Sequence, residues 1–158
     1  MTMQTITTKL ISPEATQHIA ARLAERLSAG DTLLFTGDIG AGKTHFCRSL
    51  IQAALGYAED VPSPTFTLVQ VYEVHQSEIW HADLYRLSNP DEVVELGLAE
   101  AFDTAICLVE WPDRLAELAP ENALSISLSM TADPGERDMV LSWSDPKWAE
   151  RLSGILDG

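Results

Sequence analysis

The chain has 158 residues, 46% of them hydrophobic and 22% charged, which suits one globular domain over residues 1–158 with a sizeable core. Its formal net charge is −14, and its three lysines are Lys9, Lys43 and Lys147. A free-standing nucleic-acid binder needs a basic surface to displace counterions, which this chain cannot build. No apolar run approaches the ~20 residues of a membrane span, and Met1 to Ile6 lacks the basic-then-apolar order of a secretory signal. The two cysteines, Cys47 and Cys107, are isolated and read as buried thiols of a cytoplasmic protein.

In chain order, Ser12-Pro13-Glu14 reads as an N-cap, a first-turn proline and a first-turn acid. Ala15, Ile19, Leu23 and Leu27 then repeat every four residues, predicting an amphipathic helix that ends at Gly30. Thr32 to Thr36 is a short apolar strand. Gly37-Asp38-Ile39-Gly40-Ala41-Gly42-Lys43-Thr44 follows and matches G-x-x-x-x-G-K-[ST]. Thr44 to Leu55 places Phe46, Leu50, Ile51 and Ala54 at helical spacing, and Gly56 is the stop. Strand, glycine loop, helix is the order that phosphate binding needs. Glycines let successive backbone N–H groups turn inward, and the new helix adds its positive end. Lys43 can reach β- and γ-phosphates, and the Thr44 hydroxyl can bind Mg²⁺.

Val61-Pro62-Ser63-Pro64-Thr65 is a loop by its prolines. It reads either as a rigid connector or as a switch segment that brings the Thr65 hydroxyl to the γ-phosphate or Mg²⁺. Phe66 to Val74 and Glu78 to Leu84 are strands joined by a hairpin connection. The second ends at Asp83, where phosphate-loop ATPases hold a Mg²⁺-organising acid. Asn89-Pro90-Asp91-Glu92 starts a helix that runs to Gly97. Ala105 to Val109 is a continuous apolar run, hence a central strand, and ends at Glu110, a second strand-end carboxylate. Trp111 reads as a core aromatic or as a shield beside the site. Leu124 to Met130 alternates with serines, Asp133-Pro134-Gly135 is a turn, and Met139, Leu141 and Trp143 alternate back, giving an antiparallel hairpin with Arg137 at its return. Trp148, Leu152 and Ile155 make a short closing helix. The whole predicts an α/β, three-layer P-loop NTPase-like fold whose central, mostly parallel sheet carries an appended antiparallel hairpin. His18, His75 and His81 are too scattered to suggest a metal site, and no nucleophilic triad is evident.

The phosphate loop, then Ser63-Pro64-Thr65-Phe66-Thr67-Leu68-Val69, His81-Ala82-Asp83-Leu84-Tyr85-Arg86-Leu87 and Leu108-Val109-Glu110-Trp111 together closely resemble the TsaE (YjeE) family. The similarity runs collinearly over roughly residues 10 to 145. It implies a small bacterial ATPase that binds ATP or ADP with Mg²⁺ and serves threonylcarbamoyladenosine formation in tRNA. It also implies work with the TsaD and TsaB proteins, contact with tRNA only through them, and no membrane. On the family pattern, residues 37 to 45 cradle the nucleotide, Lys43 and Thr44 hold phosphate and metal, and Glu110 is a metal-associated acid. Asp83 and Thr65 match the other functional positions, while Glu14 and Arg137 would approach the nucleotide. His45 departs from the Thr that members often carry. The last dozen residues match nothing.

Two other readings use the same loop. A small nucleoside or nucleotide kinase needs an arginine-rich lid, whereas the seven arginines here are spread from Arg22 to Arg151. A GTP switch needs D-x-x-G and N-K-x-D segments, and the sequence has neither.

Overall fold

A computed structural model of the chain describes residues 3–56, 61–62, 64, 68–74 and 77–156. Thr65 lies outside the described residues, as do Ser63, Phe66 and Thr67. Among the described residues, seven strands form one sheet: β1 (Gln4–Leu10), β2 (Thr32–Thr36), β3 (Val69–Val74), β4 (Ser77–Asp83), β5 (Ile106–Glu110), β6 (Leu124–Met130) and β7 (Arg137–Trp143), in the order β1-β7-β6-β2-β5-β4-β3. The middle strands β6, β2, β5 and β4 run parallel, and β7, β1 and β3 add antiparallel pairs at the flanks. This is the expected α/β architecture. The β6–β7 hairpin is part of the sheet's body, because β6 pairs directly with β2.

Two layers of helix cover the sheet. Helices α1 (Pro13–Ala24) and α2 (Lys43–Leu55) pack on one face. There Phe46, Leu50 and Ile51 meet Leu33, Phe35 and Leu108 in one buried cluster. Helices α3 (Asp91–Glu95) and α4 (Leu98–Thr104) cover the other face, where Val93, Leu98 and Phe102 meet Leu34, Cys107 and Val109. Strand side chains alternate between faces, so β5, sandwiched by both layers, is buried at every position. That explains its unbroken apolar run. Helix α5 (Lys147–Arg151) closes the first cluster with Trp148 as expected, but ends before Leu152 and Ile155, which join the same cluster beyond it.

Two further boundaries differ from expectation, and two elements, β1 and α4, were not expected. Strand β1 is an edge strand, exposed at most positions and held by its antiparallel ladder to β7. Helix α1 has the expected Ser12 cap, whose Oγ accepts from Ala15 N at 3.1 Å, but ends at Ala24. Beyond it, the buried Asp31 carboxylate accepts from Ser28 N at 2.9 Å, a turn that competes with helix continuation. Strand β3 starts at Val69, after Leu68 at φ 65. Gly97, at φ 83, does not end the helical region but joins α3 to α4.

Candidate functional site

The glycine loop connects β2 to α2. Gly37 adopts φ 146, and a Cβ there would run into the Leu128 carbonyl oxygen on β6. Gly42 sits at φ 104 as the N-cap of α2. The helix carries neither a side-chain cap nor an acid in its first turn. Its first N–H groups are therefore left for an outside acceptor, which is the condition for anion binding at a helix start. Lys43, 5% exposed, folds its ammonium back into the loop. It donates to the Gly37 carbonyl and, at 3.0 Å, to the Asp38 carbonyl. Burial lowers its pKa, opposed by the negative charges of Glu110, Asp83 and Asp38. Arg137, at the start of β7, clasps the loop from the opposite side: Nε donates to the Ala41 carbonyl at 3.0 Å and Nη2 to the Gly40 carbonyl at 3.3 Å.

The two expected carboxylates meet at this loop. Glu110 ends β5, next to β2 in the sheet, and Asp83 stands opposite it on β4. Glu110 is 2% exposed. Its Oε1 accepts from the Thr44 hydroxyl at 2.8 Å, and its Oε2 lies 2.8 Å from His81 Nε2. Asp83 is half-buried and accepts from Tyr85 N at 3.1 Å. Burial raises its pKa, and the Glu110 charge adds to the rise against the Tyr85 hydrogen bond.

Lys43, Thr44, Asp83 and Glu110 line one cleft of about 460 Å³. Ile39 and His45 contribute from the loop, and Tyr85, Arg86 and Trp111 from the opposite wall. Trp111 leaves β5 at φ 60, which turns its ring over the Lys43 ammonium at 4.3 Å from the ring centroid. Tyr85 packs against that ring at 4.9 Å. Trp111 thus shields the site while also touching the second core cluster.

A second cleft of about 260 Å³ abuts the first through Gly40, Gly42 and His45. Pro13, Leu128, Pro134 and Arg137 complete its wall. His45 joins the two helix starts through Nε2 and the Pro13 carbonyl, 3.2 Å apart. Of the two positions expected to approach a nucleotide from outside the loop, Arg137 lines this cleft. Glu14 is exposed and lines neither cleft; its neighbour Pro13 takes that place.

His81 is the residue that sequence reasoning passed over. It is wholly buried and reaches Glu110 from β4. The available signal was its i, i+2 relation to Asp83, which puts both side chains on one face of the strand. With Cys47 on α2, His81 and Glu110 place potential ligand atoms within 4.8 Å of one another. Burial drives the Cys47 thiol well above its ordinary pKa, so it packs there as a neutral group.

A glycine loop between a central parallel strand and a helix, with carboxylates ending the next two parallel strands, defines an α/β protein of P-loop NTPase-like architecture. The chain belongs to the TsaE family: the model of the "Threonylcarbamoyl adenosine biosynthesis protein TsaE" family matches residues 10–139. It is 38% identical over 133 residues to the tRNA threonylcarbamoyladenosine biosynthesis protein TsaE of Rickettsia bellii, covering 84% of this chain and 92% of that one. It is 36% identical over 141 residues to the TsaE protein of Bacillus subtilis, covering 89% and 87% of the two chains. The crystal structure of Bacillus subtilis YdiB superimposes with a TM-score of 0.81 at 28% identity, covering 98% of this chain and 96% of that one. The family's role is in the biosynthesis of threonylcarbamoyladenosine in tRNA. No helix among the described residues is long and apolar enough to cross a membrane.

Proposed function

We propose that this protein is an ATPase that binds Mg²⁺–ATP in the first cleft and hydrolyses it to support tRNA threonylcarbamoylation together with TsaD and TsaB. The observation that carries this reading is the convergence of one ammonium, one hydroxyl and two carboxylates on a glycine loop at a helix start. Thr44 Oγ1, Asp83 and Glu110 are hard oxygen donors, the chemistry that suits Mg²⁺. The cation would neutralise charge developing on the phosphate oxygens.

The chain's own groups do the rest. The free N–H groups of α2 and the loop bind phosphate oxygens. Lys43 exchanges its two loop carbonyls for a charge-assisted contact to phosphate. Glu110 keeps the Thr44 hydroxyl oriented. Trp111 and Tyr85 wall the cleft and limit water. The second cleft, where Pro13, Leu128 and Pro134 offer apolar surface beside His45, would receive the nucleoside end of ATP. Strand-end carboxylates across from bound phosphate suit positioning and electrostatic stabilisation rather than covalent chemistry.

The acidic surface argues for a protein partner between this chain and tRNA. Reconstitution tests the whole reading. Multi-turnover modification of tRNA by purified TsaB and TsaD, with the threonylcarbamoyl donor supplied, should require this protein and hydrolysable ATP. Full modification without it, or with the Lys43→Ala variant, would contradict the assignment.

A further inference from the structure

Three features recommend His81 for closer reading. It is a wholly buried titratable side chain, its Nε2 lies 2.8 Å from a buried carboxylate, and its Nδ1 has no partner among the described residues. A buried polar atom without a partner is a cost that an apolar residue of similar size would avoid. The contact that the imidazole does make accounts for its place.

The sheet register sets up that contact. On β4 and β5 the parallel pairs run His81↔Leu108 and Asp83↔Glu110. His81 and Asp83, two residues apart, share a face, and that face carries α2 with Thr44 and Cys47. Glu110 leans between the two elements. Thr44 on α2 donates to Oε1, and His81 on β4 meets Oε2. A carboxylate oxygen accepts hydrogen bonds, so Nε2 is the ring nitrogen that donates to Oε2.

The terminal torsion of a glutamate is broad and two-fold. One donor on each oxygen, from two different elements, removes that freedom and fixes the carboxylate plane. We propose that His81 is a positioning residue: it locks the Glu110 carboxylate in the orientation that the Thr44 hydroxyl and the cleft require. This rests on the ATPase reading of the same site. His81 lines neither cleft, and its contact with the site is the one it makes with Glu110.

Substitutions at His81 separate this role from simple packing. His81→Leu keeps the bulk and loses the donor. His81→Gln carries an amide N–H that can stand where Nε2 stands. His81→Asn is polar but too short to reach Oε2. Loss of an outer partner of a metal-associated group typically lowers activity or metal affinity 10–100-fold. The Leu and Asn variants should therefore lose roughly that factor in kcat for ATP, with KM for ATP changed less than about threefold. The Gln variant should recover most of the rate. Mn²⁺ affinity of the ADP complex, read by electron paramagnetic resonance, should fall with Leu and Asn and recover with Gln. Circular dichroism and Tm show whether each variant is folded, and the comparison of Gln with Asn stands if Leu fails to fold.

Wild-type kcat and Mn²⁺ affinity in the Asn variant would overturn the proposal. So would equal losses in Asn and Gln, since the donor would then be irrelevant. If Lys43→Ala and Glu110→Gln hydrolyse ATP at the wild-type rate, the ATPase reading itself fails. If those two are inactive while the His81 variants stay fully active, only the positioning role fails.

Discussion

Asp83 and Glu110 stand directly opposite each other on neighbouring parallel strands, each the last residue of its strand. Strand carboxyl ends in open α/β sheets border the ligand crevice, so their pairing brings two negative charges to the mouth of one cleft. Two carboxylates so placed disfavour each other's charge, and the raised pKa of Asp83 reflects burial first and the Glu110 charge after it. Asp83→Asn and Glu110→Gln should accordingly lower kcat for ATP hydrolysis by about 10²-fold or more, because charge stabilisation counts most in the transition state. Nucleotide affinity measured by calorimetry should change far less. Equal losses in binding and turnover would show that the carboxylates serve ground-state binding alone.

Lys43 carries the second expectation. Its ammonium is held by two loop carbonyls and lies against the Trp111 ring. A charge-assisted hydrogen bond contributes about 1.5–3 kcal/mol, so Lys43→Ala should weaken ATP binding roughly 10–100-fold. The fold should survive, since the side chain supports only the loop. Unchanged ATP affinity would remove Lys43 from the phosphate site.

The strand-end acids were legible because an apolar run that stops at Asp or Glu is a local pattern. The glycine loop between β2 and α2 was legible for the same reason. His81 was not, because its i, i+2 relation to Asp83 shows only a shared strand face; its meaning comes from Glu110 on the next strand. Strand β1 escaped because its side chains are mostly exposed and its stability comes from pairing with β7. Helix α4 escaped because Gly97 reads as a stop, whereas its left-handed backbone serves as a joint between two helices. The turn beyond α1 is held by Asp31, whose partners Lys147 and Arg151 lie at the far end of the chain.

That Asp31 cluster gives a pH-dependent expectation away from the site. Burial would raise its pKa, but hydrogen bonds from Arg151, Ser28 N and Lys147 outweigh burial and hold it below the ordinary 3.8. The folded state therefore favours the carboxylate. Its contribution is fully present above the unfolded value and is lost as pH falls through the folded one. Asp31→Asn should cost about 1–2 kcal/mol near neutral pH, a discounted figure because both cations are partly exposed. The Tm gap between wild type and variant should close as pH drops below 3.8. A gap independent of pH would assign the loss to packing.

Gly37 supplies a backbone test. Its φ of 146 and the Leu128 carbonyl beside it leave no room for a Cβ. Gly37→Ala should lower stability by about 2 kcal/mol and weaken ATP binding together, since strand and loop must part to admit the methyl. A variant with normal Tm and normal ATP affinity would show that the loop accommodates the change.

The central claim is that one cleft holds Mg²⁺–ATP and turns it over. Phosphate release from ATP, followed with TsaB and TsaD present and with Mg²⁺ or excess chelator, tests it most directly. The expected result is release by wild type that needs Mg²⁺, with background rates from Lys43→Ala and Glu110→Gln. Phosphate release at equal rates from wild type and both variants, or release indifferent to chelation, would contradict it.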